Sequence, residues 1–174
     1  MPVPRIIVFQ LTIMLAATIA VVTSAHAASD ADREMVRVYA DAMTNAVPTL
    51  ANVQEEMEKD CSSMSGPSGV SSCIHGLDLG AAGVRTVRSR MSGLKVPDCL
   101  RGVDAQLRVA LDLLRDGYAK AQKGLVAWMP VGEVMPVQDM EVMYSGMRDI
   151  EIGNEKITEA TALLKAALVI CPAQ

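Results

Sequence analysis

An all-α, up-down-up-down four-helix bundle closed by two disulfides is the fold predicted by this 174-residue sequence. Three observations predict it. Four long segments carry apolar residues at alternating three- and four-residue spacings, the pattern of helices packed lengthwise on one another. No run of useful length alternates apolar and polar residues with the two-residue period of a strand. Four cysteines fall at the ends of those helical segments.

The chain opens with Arg5, an apolar run over 6–22 and the small-x-small triplet Ala25-His26-Ala27. Charged, apolar and small segments in that order are the layout of a cleavable signal peptide, expected to cover 1–27. The competing reading is a retained anchor. It is weaker, because the run of 17 residues barely reaches a spanning length and Gln10 interrupts it. Residues 28–174 are then expected to form a single helical-bundle domain, periplasmic or secreted.

The first helix is expected from a Ser29 or Asp30 cap to about Lys59. Its apolar seam is Val36, Tyr39, Met43, Ala46, Leu50, Val53 and Met57, and Pro48 should kink or split it. Residues 62–69 read as a turn by composition. A second helix, about Val70 to Ser92, shows Ile74, Leu77, Ala81, Val84, Val87 and Met91 on one face. Gly76, Gly80 and Gly83 make it the weakest of the four, at about 1 kcal/mol each in helix propensity. Asp98 is the expected cap of a third helix, from about Cys99 to Trp128, with seam Leu107, Leu111, Leu114, Tyr118, Ala121, Leu125 and Trp128. Pro130, Gly132 and Pro136 end it. The fourth helix runs from about Val137 to Ile170. Its seam passes through Met140, Met143, Met147, Ile150, Asn154, Ile157, Thr161, Leu164, Leu168 and Cys171. Asn154 resembles the polar seam residues that fix register in coiled coils.

Four cysteines allow three pairings. In an up-down bundle, Cys61 and Cys73 share one pole, and Cys99 and Cys171 share the other. Helices of this length span roughly 35–45 Å, and a disulfide needs Cα atoms within about 7 Å, so pairing between poles is forbidden. Cys61–Cys73 with Cys99–Cys171 is therefore expected, in an oxidising compartment.

Removing the signal takes Arg5 from the 16 basic residues and leaves 15 against 20 acidic, a net charge of −5. An acidic surface argues against nucleic acid and against anionic lipid as partners. Stable membrane insertion is not expected once the signal is removed. Catalysis has little to stand on, because a nucleophile needs a base and an orienting group and the mature chain keeps one histidine, His75. Glu55, Glu56 and Glu58, and Glu151 with Glu155, read as solvated faces. A di-iron bundle needs two Glu-x-x-His motifs, and Ser72 stands three residues before His75. No enzyme activity and no cofactor are expected.

Two function classes follow. The favoured one is a non-enzymatic binding or accessory protein of the bacterial envelope. It would grip a protein partner through a bundle face or through the apolar pole of Trp128, Met129, Val131, Val134 and Met135. Against the pole stands the reading that this segment folds back to plug the end of the bundle. The alternative class is a copper or haem carrier using His75 with Met140, Met143 and Met147, since thioethers favour Cu(I). Against it, methionine is the bulky filler available to a core without phenylalanine. A leftover apolar helix face could also pair two bundles into a homo-oligomer.

Overall fold

The computed structural model describes residues 29–171 except 63, 65 and 129–134. The signal segment, Met129, Val131 and Val134 lie outside the described residues. Among the described residues the structure is all-α, with α1 over Asp30–Cys61, α2 over Gly66–Ser92, α3 over Arg101–Trp128 and α4 over Val137–Ile170. A 3-10 turn, Asp98–Leu100, precedes α3. The helices pack in chain order, α1 on α2, α2 on α3 and α3 on α4. No described helix is long and apolar enough to cross a membrane.

Ser29 caps α1 through a capping box. Its hydroxyl accepts from the Asp32 amide at 3.2 Å, and the Asp32 carboxylate accepts from the Ser29 amide at 3.3 Å. The helix continues through Pro48 instead of splitting there. Pro48 is exposed, so the carbonyl it leaves without an amide partner faces water. The Thr49 hydroxyl donates to the Asn45 carbonyl at 3.2 Å on the same turn. Helix α2 starts earlier than the composition of 62–69 suggests. Gly66 takes a left-handed φ of 70° that turns the chain, and Pro67 follows at a position where its missing amide costs nothing. Asp98 does not cap α3. Pro97 holds the capping position of the 3-10 turn, and the Asp98 carboxylate instead pairs with Arg101 at 2.7 Å.

Both expected bridges are present, with Cα separations of 4.2 Å for Cys61–Cys73 and 5.8 Å for Cys99–Cys171. The first ties α1 to α2 at one pole. The second ties the two ends of the α3–α4 hairpin at the other.

The buried apolar side chains form one cluster. Its tightest part is the α3–α4 interface, where glycines let the two backbones touch. A Cβ on Gly117 would lie 2.8 Å from the Gly146 carbonyl oxygen, and one on Gly124 would lie 2.6 Å from the Asp139 carbonyl. Helix α2 uses its glycines differently. Gly80 makes room for the Tyr118 ring, whose Cζ would stand 2.5 Å from an added Cβ.

Two tyrosines carry polar tips into this core. The Tyr39 hydroxyl donates to Asp104 Oδ1 at 3.0 Å, pinning α1 to α3, and Arg108 Nε donates to Asp104 Oδ2 at 2.6 Å. Asp104, 9% exposed, is the one buried charged side chain among the described residues, and both its oxygens are engaged. Burial and then the Asp104 carboxylate push the Tyr39 phenol well above its ordinary range. Burial and then Glu58 push the Tyr118 phenol from 10.0 up to about 12.

Because the folded state holds these phenolic protons more tightly than the unfolded chain, their contribution to stability is complete below pH 10. It is lost as the pH rises towards and past 12. The urea midpoint is expected to fall steeply in that alkaline window, and Tyr118→Phe to flatten part of the fall. A midpoint with the same alkaline slope in Tyr118→Phe would show the Tyr118 phenol to be solvated.

Candidate functional site

A four-helix bundle buries most when all four neighbouring pairs of helices are in contact. Here the fourth pair is nearly absent: α1 and α4 meet at only a few points. The cause can be followed along α4, whose seam consists of two rows. Met143, Ile150, Ile157, Leu164 and Cys171, seven residues apart, are all buried, from 3% to 6% exposed. Met140, Met147, Asn154, Thr161 and Leu168 form the second row, also at seven-residue spacing, and every one is only half-buried. The first row faces the core. The second borders the gap beside α1.

Toward the Cys61 end of that gap lies an open groove of about 500 Å³. Met57 of α1 with Met147 and Ile150 of α4 supply its apolar lining, and Glu58, Glu151 and Glu155 line it with carboxylates. Gln54, Asn154 and Thr158 complete it, and no basic residue lines it. Gln54 Nε2 donates to Glu58 Oε1 at 2.8 Å. The Asn154 Nδ2 is shut away from solvent with no hydrogen-bond partner among the described residues. Along the same stripe of α4 as Glu151 and Thr158, seven residues apart, Tyr144 and Val137 stand 61% and 69% exposed.

Charge is distributed unevenly. Among the described residues the ion pairs engage Glu34, Asp41, Asp98, Asp104, Asp112, Asp116, Asp149 and Glu159. None reaches Glu58, Glu151 or Glu155.

A second concavity lies between α2 and α3, beside the Tyr39–Asp104–Arg108 chain. It is about 80 Å³ and lined by Arg88, Ser92, Asp104, Arg108 and Asp112 among others. Arg88 pairs with Asp112, and Arg108 pairs with Asp104. Each cation there is already neutralised, so the feature holds the helices in register and offers little to a ligand.

The residues singled out from the sequence divide as follows. Trp128 and Met135 are half-buried and pack against the core. Trp128 Nε1 is shut from solvent without a partner among the described residues. His75 is exposed on α2, while Met143 is buried and Met140 and Met147 half-buried on α4. Helix α2 makes no substantial contact with α4, so the histidine and the methionines are not brought together. Among the described residues no cluster of three or more His, Cys, Asp or Glu has the geometry to hold a metal ion. Sequence reasoning treated Glu58, Glu151 and Glu155 as plain solvated faces and missed the groove they share. A comparison with protein-family models finds none that matches this chain, and comparisons with curated proteins and with solved structures find no match either.

Proposed function

We propose that this chain is an exported, non-enzymatic accessory protein of the bacterial envelope, which holds another protein in the gap between α1 and α4. The single observation that carries the reading is that unclosed gap, an apolar-floored groove of about 500 Å³ in a bundle whose other neighbouring helices are packed. Leaving Met147 half-exposed and Tyr144 largely exposed costs apolar burial that a closed bundle would recover, which is the pattern of a contact surface. Methionine suits such a surface because its flexible thioether adapts to partner shape.

Export is supported by the signal layout of 1–27 and by two disulfides, which persist in oxidising compartments. A binding role in place of catalysis is supported by the lone, exposed His75 of the mature chain and by the satisfied partners of Asp104.

A photo-crosslinking residue at Thr158, compared with one at Arg85 on the outer face of α2, tests the reading in intact cells. The expected result is a discrete adduct from position 158 alone, lost when Met147→Arg fills the groove with charge. Adducts of equal yield from both positions, or none from 158, would remove the groove as the binding face.

A further inference from the structure

Resting on the reading just given, we infer that the occupant of the groove is a basic amphipathic helix of the partner protein, its apolar stripe on the half-buried Met147 and the exposed Tyr144 and its lysines or arginines against Glu58, Glu151 and Glu155. Charge selects this class. Three carboxylates line the groove with no basic side chain among them, and none is neutralised by an ion pair among the described residues. An acidic segment would be repelled, and a neutral one would dehydrate those carboxylates without compensation.

Shape selects a helix. The exposed stripe of α4 from Val137 through Tyr144 and Glu151 to Thr158 rises roughly 30 Å, enough for a partner helix of about 20 residues laid lengthwise. Apolar anchors on such a helix recur at three- and four-residue spacings, the spacing at which Met147, Glu151, Asn154 and Thr158 follow one another along the α4 wall of the groove.

Charge also removes the competing occupants. A second copy would bring one acidic groove onto another. The segments of this chain outside the described residues are poorly suited too. Residues 1–28 carry the single cation Arg5, and 129–134 carry none and add Glu133.

The test is a selection from a displayed library of 20-residue helices with a fixed apolar stripe and randomised flanks, on the purified protein with both bridges intact. Recovered helices are expected to be net positive. They should bind Glu58→Gln/Glu151→Gln/Glu155→Gln at least about tenfold more weakly, and lose affinity as salt is raised. Their cross-links should fall on α1 and α4. An unchanged thermal midpoint shows the triple variant to be folded. Neutral or acidic helices that cross-link to the groove, or basic ones that ignore the triple variant, would overturn the charge class and leave the groove standing. Binders that cross-link elsewhere, an empty selection, or a dimer joined groove to groove would overturn both.

Discussion

Gly146→Ala is expected to destabilise the protein by roughly 3 kcal/mol, the upper end for a single methyl forced into a packed interior. Ordinary helix chemistry points the other way, since alanine in place of a mid-helix glycine gains about 1 kcal/mol. The packing reverses the sign. A Cβ on Gly146 would collide with the Ala121 amide nitrogen and would stand 2.6 Å from the Gly117 carbonyl oxygen and 2.9 Å from the Ala121 Cα. All three are backbone atoms of α3, so no rotamer change relieves the contact and the helices must separate. Separation loosens Leu114, Tyr118 and Leu125, buried side chains in the same part of the core. Gly102→Ala is the matched control: nothing lies within 4 Å of a Cβ there, and the substitution is expected to be neutral or to stabilise by up to about 1 kcal/mol. Urea denaturation of the two variants checks the pair. Equal midpoints for both would mean that the α3 and α4 backbones are not in contact.

That interface also shows what a sequence conceals. The large apolar seams were readable because Val36 to Met57 and Leu107 to Leu125 repeat at helical spacing, and burial along such a seam is what holds a bundle together. The cysteine pairing was readable because helix length alone separates the poles. The glycine contacts were not. Gly117, Gly124, Gly146 and Gly153 contribute nothing to an apolar pattern and count against a helix by propensity, although their seven-residue spacing is present in the sequence.

The groove was hidden for another reason. Met140, Met147, Asn154, Thr161 and Leu168 have the same periodicity as the buried row beside them, and a seven-residue repeat does not say whether a neighbouring helix covers it. Asn154 reads as a register device, but its place on that uncovered row makes it part of the groove lining instead. Glu58 is far in sequence from Glu151 and Glu155, so only the antiparallel packing brings the three to one opening.

Loop length ranks the two disulfides. Cys99→Ser/Cys171→Ser is expected to cost about 4 kcal/mol, and Cys61→Ser/Cys73→Ser about 3, because cross-linking restricts the unfolded chain more when the loop it closes is longer. The sequence separations are 72 and 12 residues. In a chain of this size the larger loss is expected to lower the thermal midpoint by about 10 °C or more. The native-state consequences should differ as well as the magnitudes. Without the long bridge, the ends of α3 and α4 are held only by side-chain packing, and hydrogen exchange should rise at Leu100, Val103 and Leu164. Without the short bridge, the change should stay near Val70, Leu77 and Met57. Met57 and Glu58 of the groove stand about one turn from Cys61, so the proposed helix binding should persist without the long bridge and weaken without the short one, at temperatures where both variants remain folded. If the short bridge proved the costlier of the two, chain entropy could not be the main source of the stabilisation. The enthalpy of packing around Cys73, which is wholly buried, would have to take its place.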